Sequence, residues 1–546
     1  IYNSNIQFNA IYGVYNGNAA YPVDARYNYW GDPSGPAPRG TGNATNYRTY
    51  TCGTPATTCY DYDYYVLAYP WIGSIPQVSQ NSSPSTPWTY WNADPVNMVF
   101  GNYIHLATDL SIPDRGVGFT FQRTYNSNST YDGPLGLGWT HSYNITATDI
   151  NASTVQIRQP DGRIDAYLAN ADGTYTPPAG IYDQLEKVAG LYKLTLHDQV
   201  VYNFNVVGQL ASIVDRNGNT TTINYPGTLI SSVTLPDGRA ITFSYNASSR
   251  LEQISDPLGR TVTFSYDVNG RLASSSDTAS KVTTYMYDAS GLLATVTDAN
   301  NHTFVNNTYN SDGRVIEQRN AANELWTFTY NPTDRFTNAT DPLGHTTTYT
   351  YDEAYRIISE IDPLGHSKTF AYDASNNRIA VTDPNGHTTT FTYDAAGNIL
   401  TTTDARGGVI TNTYDAQNNL LTSTNALGFT TTYTYDASGN RLTTTDALAH
   451  STTYTYYSDA SRLGRLQTVT DPRGGTTTYD YNANGDVIRV VDALGGVVTY
   501  SYDTGGRKLS FTDARSHTWT YSYDNLNRLL TETDPLGGVT TSTYDS

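Results

Sequence analysis

The sequence predicts an all-β protein: a coiled antiparallel sheet of 21-residue repeats, wound as a spiral shell or hollow tube, with further β-rich segments ahead of it. Three observations predict it. A Tyr-Asp or Tyr-Asn pair returns every 21 residues at Tyr330, Tyr351, Tyr372, Tyr393, Tyr414 and Tyr435. A second marker, usually Asp followed by Pro or Ala and then Gly, keeps the same period at Asp341, Asp362, Asp383, Asp404 and Asp446. Between the markers, Thr alternates with Tyr or Phe, the period-2 pattern of β-branched and aromatic residues that favours strand. A long array of one small unit is a structural element first, and chemistry must be argued on top of it.

Composition narrows the function classes. The 546 residues are long enough for several domains, and they include 48 Tyr but only two Cys and two Met. The formal net charge is −19. That charge argues against nucleic acid, whose phosphates need clustered Lys and Arg, and against insertion into or binding of anionic membranes. Turn chemistry accounts for most of the acid. No apolar run reaches the ~18 residues of a membrane-spanning helix. The chain starts at Ile1 and stops at Ser546 within its patterns, so a piece of something larger is expected.

Residues 1–40 alternate short apolar positions with Asn and Gly, then reach Asn28-Tyr29-Trp30-Gly31 and a Pro-rich exit. On those residues the segment resembles the last coil of a right-handed parallel β-helix of the pectate-lyase or NosD type. That resemblance implies a structural remnant coil. Residues 41–92 read as a connector. Cys52 and Cys59 bracket a short loop. A disulfide there would contribute roughly 2.5 kcal/mol in the chain-entropy model and favours an oxidising, extracellular or cell-surface location. Asp61 and Asp63 do not complete the six to eight oxygens that Ca²⁺ requires. Asn43, Asn128, Asn144 and Asn338 stand in Asn-x-Ser/Thr sequons that permit glycosylation.

Residues 93–215 carry strand-like alternation, as in Gly118-Phe119-Thr120-Phe121 and Leu191-Tyr192-Lys193-Leu194. Asp94-Pro95-Val96-Asn97, Gly101-Asn102, Thr108-Asp109-Leu110, Arg123-Thr124-Tyr125-Asn126 and Gly136-Leu137-Gly138-Trp139 follow in order. With these the segment resembles the domain that opens many Rhs/YD-repeat proteins. Arg123 and Trp139 invite reading as a site, but an Arg over an aromatic face is more often a packed cation–π contact.

Residues 216–546 are the array, and they resemble the YD repeats of Rhs proteins and teneurins. In the unit opening at Asn425, a polar-Gly turn leads into Thr430–Tyr435, which places Tyr433 and Tyr435 on one face and Thr432 and Thr434 on the other. A second turn spans Asp436–Asn440, and Leu442 begins the return strand. Each repeat is thus two antiparallel strands and two turns. The turn and strand markers are Asp341, Gly344, Tyr351, Asp362, Gly365, Tyr372, Asp383, Gly386, Tyr393 and Tyr435. At ~4.8 Å per strand the array predicts roughly 28 strands and about 130 Å of sheet, which must coil. Neither face reads strongly apolar, so no thick dry core is expected. One extra residue between Tyr287 and Tyr309 predicts a bulge, and four between Tyr456 and Tyr481 predict a longer turn.

His302, His345, His366, His387, His450 and His517 share one repeat position. Neighbours at that position lie ~9.6 Å apart, too far to share a metal held at about 2.0–2.1 Å. They read as exposed strand starts. No nucleophile elbow, phosphate loop or zinc-ligand cluster stands in the sequence, so no catalytic residue, metal or cofactor is expected. The leading expectation is a non-enzymatic extracellular structural protein. It would form a surface stalk or a head-to-tail filament through self-association, or be continued by the same chain. The resemblance also implies an alternative, a shell segment of an Rhs-type toxin. A glycan-binding adhesin surface is the third.

Overall fold

The computed structural model describes residues 91–93 and 95–544 and the backbone of 49–52 and 57–60. The side chains of Cys52 and Cys59, and all of Asn43, Asp61, Asp63 and the segment 1–40, lie outside the described residues. The chain divides into two compact units, Ile1–Ser82 with Asn331–Arg335, and Ser83–Tyr330 with Phe336–Ser546. In the first, strands Thr49–Cys52 and Thr57–Tyr60 pair as an antiparallel hairpin.

The second unit is built from strands joined by turns, with no helix among the described residues. Its opening segment holds a three-stranded sheet of Ile104–Ile112, Phe119–Asn126 and Trp139–His141. A four-stranded sheet runs from Thr146–Asn151 to Tyr175–Thr176. A single sheet of 35 strands then runs from Gln184–Val188 to Val539–Thr541, each strand hydrogen-bonded to its sequence neighbours. The sheet is longer than the periodicity predicts and starts inside the span assigned to the opening segment. Its first strands lack the marker: at the first comparable turn Phe204-Asn205 stands where Tyr-Asp would.

The alternation of Thr and aromatic residues sets which side faces in. Thr432 and Thr434 are exposed while Tyr433 and Tyr435 are half-buried. The marker hairpins also carry an irregularity that periodicity does not reveal. The register slips at Tyr245, Tyr266, Tyr287 and Tyr309 and again from Tyr351 to Tyr523; Thr434 pairs with Thr443 but Tyr435 with Arg441, leaving Leu442 unpaired. Such a bulge sharpens local twist. Repeated once per hairpin on the same side, it gives a long sheet the curl it needs. The extra residue before Tyr309 appears as a further register shift at Val296/Thr297. The four-residue insertion is a turn from Tyr457 to Arg465 between regular strands.

The expectation of no dry core is overturned for the first half of the array. Phe119, Phe121, Tyr125 and Trp139 of the opening segment are fully buried. They meet Phe243, Phe264, Tyr285 and Tyr287 of the sheet at ring separations of 5.2–6.5 Å. Each such aromatic pair adds about 0.5–1.5 kcal/mol beyond area burial. The repeats alone do not supply a core, because the opening segment provides its other half. The buried apolar residues stop at Phe370. Beyond it the same face carries Phe391, Tyr433, Tyr454, Tyr500 and Trp519 half-buried.

Candidate functional site

Each predicted turn residue has a definite mechanical role. The Asp341 carboxylate accepts from the amides of Leu343 and His345 at 2.9 and 2.8 Å, while Gly344, at φ 85°, donates its amide to Asp341 O. Asp362 and Asp383 repeat the pattern with Gly365 and Gly386. The Tyr-Asp turns have the same geometry, as at Asp436 with Ser438 and Asn440. This is a type I turn followed by a left-handed residue. We call the Tyr-Asp turns marker turns and the Asp-Pro/Ala turns return turns.

The marker Tyr has a second function that the sequence hides. Its hydroxyl donates to the backbone carbonyl at the start of the previous return strand: Tyr372 to Ile357 at 2.9 Å, Tyr393 to Arg378 at 2.8 Å and Tyr435 to Leu420 at 2.8 Å. The Leu251, Leu272 and Leu293 carbonyls accept likewise from Tyr266, Tyr287 and Tyr309. At these positions the phenol pegs a hairpin to the one before it. Tyr351 is buried and stacks on Tyr355.

The six repeat histidines stand on the exposed return turns. Each points Nδ1 at the carboxylate of its own turn, as at His366 to Asp362, 2.9 Å, and His387 to Asp383, 3.0 Å. Hydrogen bonds from the turn amides and from these rings hold the Asp341, Asp362 and Asp383 carboxyls below the usual range. Among the described residues no three potential ligands converge on a metal position.

Arg123 is a fully buried charge. A bulge at Thr108/Leu110 turns Asp109 inward, and its carboxylate accepts from Arg123 Nε and Nη2 at 2.6 and 2.8 Å. Nη1 donates to the Tyr285 hydroxyl at 3.2 Å and Nη2 to Ser275 Oγ at 3.0 Å. The guanidinium also lies 5.3 Å from the Trp139 and Phe264 ring centres. Burial opposes its charge, yet Asp109 and Tyr285 more than offset this and raise its pKa. A cavity of about 400 Å³ opens beside it, lined by Asp109, Lys281, Asp298 and Arg528 among others. Each nitrogen of Arg123 already has a partner inside the protein, so the arrangement fastens the opening segment to the sheet. The Arg123–Trp139 contact matches the packing reading; the sequence reading noted Asp109 only within the Thr108-Asp109-Leu110 resemblance and did not pair it with Arg123.

The turns also meet one another across long sequence distances. Asn440 Nδ2 donates to Asn217 Oδ1 at 2.7 Å, and Asn418 Nδ2 to His197 O at 3.0 Å. Arg239 Nη1 reaches Thr504 O at 3.1 Å, and Arg260 Nη1 reaches Asn525 O at 3.0 Å. Early return turns thus seat later marker turns along a seam. The loop Pro113–Gly116 crosses it. Arg115 donates to Ser461 O and Ala483 O, both at 3.3 Å, and Arg465 donates back to Asp114 O at 2.6 Å. Asn219 Nδ2 adds a bond to Leu463 O at 3.2 Å. The inserted turn is therefore a docking point for the chain's own opening segment. Of the sequons, Asn128 is exposed, whereas the amide groups of Asn144 and Asn338 hydrogen-bond Thr140 and Thr348.

Known proteins resemble this chain in parts. Residues 93–167 match the family described as Domain of unknown function (DUF6531), and residues 192–303 match Teneurin YD-shell. RHS Repeat matches at 309–344, 331–367, 372–409, 414–451, 481–510 and 509–539. The tRNA3(Ser)-specific nuclease WapA of Bacillus spizizenii is 34% identical over 142 residues, 25% of this chain and 6% of that protein. The tRNA nuclease WapA of Bacillus subtilis is 33% identical over the same length and shares. The chain thus spans a small fraction of the relatives it matches. The TcdB2-TccC3-TEV crystal structure aligns with 77% of this chain and 26% of its own at 14% identity and a TM-score of 0.44. A Photorhabdus luminescens Tc holotoxin pore aligns with 88% and 28% at 13% identity and a TM-score of 0.27.

Proposed function

Starting from a chain that is an Rhs/YD-repeat protein with a shell-like scaffold, we propose that it is a non-enzymatic wall, acting outside the cell, that encloses a polypeptide. One observation carries this reading. Within the second unit, the marker turns for which contacts are described meet the opening segment or an early return turn. Arg250 Nη1 holds Gly133 O, Val315 N donates to Gly101 O at 2.8 Å, and Tyr355 packs on Phe100. Turns that meet across the sheet bring distant parts of it together, which supports the enclosing alternative over the stalk or filament. The half-buried aromatic face beyond Phe370 would line the enclosed side. The opening segment, as an Rhs-type domain, would be the plug at one end.

The relatives named as tRNA nucleases match this chain over only 6% of their own length, which leaves a scaffold role open to this stretch. Electron micrographs of the purified native gene product test the reading. Closed particles of uniform size are expected. Fibres lengthening with concentration would sink it and restore the filament.

A further inference from the structure

The cavity beside Arg123 has no part in the fastening described above. Its space of about 400 Å³ is walled by three stretches far apart in sequence. Strand Ile104–Ile112 contributes His105. The sheet contributes Asp277, Lys281, Asp298 and Phe304, and the late marker turn contributes Arg528. That turn is held from the sheet. Thr278 Oγ1 donates to Asn525 O at 2.7 Å, and Arg260 Nη1 donates to the same oxygen at 3.0 Å. The cavity therefore exists only in the wound sheet, where the three stretches come together. Its volume falls in the ~300–1,000 Å³ range of small-ligand sites.

Polar groups in this lining are left unengaged. His105 is 9% exposed, and its Nδ1 lies 3.1 Å from the Tyr103 hydroxyl. Its Nε2 has no partner among the described residues and is not sealed off, so it opens on the cavity. Burial keeps the ring neutral. Lys281 N donates to Asp277 Oδ1 at 2.9 Å, while Lys281 Nζ has no partner among the described residues. The Phe304 ring, 6.3 Å from that of His105, adds an apolar face. Beyond the Asp109–Arg123 pair, the charged lining is balanced, Asp277 and Asp298 against Lys281 and Arg528. An ion of either sign thus meets no net attraction. A sugar suits both halves of the lining. Its C–H face packs on an aromatic ring, and each hydroxyl both donates and accepts, so it serves carboxylate, ammonium and imidazole together.

We propose that this cavity is a carbohydrate site for a neutral mono- or disaccharide, with Phe304 as the stacking face and Asp277, Lys281 and His105 Nε2 as its hydrogen-bonding groups. The site lies at the opening strand, apart from the aromatic sheet face beyond Phe370. A bound sugar would tie the opening strand to the late marker turn, and by linkage its binding steadies the wound sheet. The inference stands whether or not the wall encloses a polypeptide.

Saturation-transfer NMR and calorimetric titration of the whole chain test it. The probes are glucose, galactose, mannose, N-acetylglucosamine, cellobiose, lactose and diacetylchitobiose. At least one should bind with a Kd below ~1 mM. Lys281→Ala, at an exposed side chain, should weaken that sugar at least ~10-fold through the loss of one charge-assisted hydrogen bond. Phe304→Leu keeps an apolar group but loses the ring, and should weaken it as well, with the far-ultraviolet circular dichroism unchanged. No binding by any of these sugars at ~10 mM would overturn the proposal. Equal affinity in the parent and both variants would place the sugar elsewhere and overturn it too. Binding of glycine or glutamate in place of the sugars, lost in Lys281→Ala, would make this a zwitterion site, against the class proposed.

Discussion

Tyrosine hydroxyls, one buried Arg–Asp pair, a further carboxyl and two imidazoles set the behaviour of the second unit at the level of single residues. Tyr435→Phe removes the peg to Leu420 O and should cost about 0.5–1.5 kcal/mol in urea unfolding. Tyr309→Phe strands the Leu293 carbonyl in a better-buried setting and should cost more, about 1–3 kcal/mol. Arg123→Met leaves Asp109 as a buried charge without its partner, a loss of about 3–5 kcal/mol that Arg123→Met with Asp109→Leu should largely recover. The pH dependence has two opposite signs. Burial, then the Arg123 charge, push His105 down to about 3, and burial pushes His141 down to about 3. Unfolded, both would protonate near 6.5. The stability they confer is complete above that value and is lost as pH falls toward 3. Asp114 is pushed up to about 6 from 3.8 by burial, then by hydrogen bonding and repulsion from Asp237, with Gly116 N and Arg239 opposing. Its contribution is greatest below 3.8 and is lost as pH rises through 6. Hydrogen exchange, corrected for intrinsic rates, should therefore show residues 119–125 loosening between pH 7 and 4.5 while residues 113–118 tighten.

Among the elements, turns and bulges divide what the sequence reveals from what it conceals. The paired turns were legible because Asp, Gly and Pro mark them locally. The left-handed position at Ala449, φ 65°, was not, since no glycine signals it; Ala449→Gly should stabilise by about 1 kcal/mol. Tyr355 sits at φ 61° and its ring rests on Phe100 and Tyr351, so Tyr355→Gly should destabilise despite the relaxed backbone. Bulges at the marker Tyr and at Asp109 escaped the sequence because they depend on pairing register. The Tyr457–Arg465 turn announced itself as an insertion, but its partner, Arg115, lies 346 residues from Ser461. No period could join them. Arg115→Ala should speed limited proteolysis within Asp459–Gly464 while the far-ultraviolet circular dichroism stays unchanged.

Over the whole second unit, stability is local along the sheet and long-range at the seam and the opening segment. Nearest-neighbour arrays lose hairpins one at a time unless other contacts couple them. Here the early hairpins share the opening segment's core and the later ones share the seam, so the exposed return turns belong to the part held least. The peg of a marker Tyr onto the preceding hairpin, where it is made, also has a direction. Tyr372 needs Ile357 in place, and Tyr393 needs Arg378; nothing in that bond asks for a residue not yet made. During synthesis each hairpin leaving the ribosome therefore meets a finished acceptor, and the opening segment has emerged first. The wall can be laid course by course in the order of translation, leaving a single growing edge exposed to misassembly at any moment.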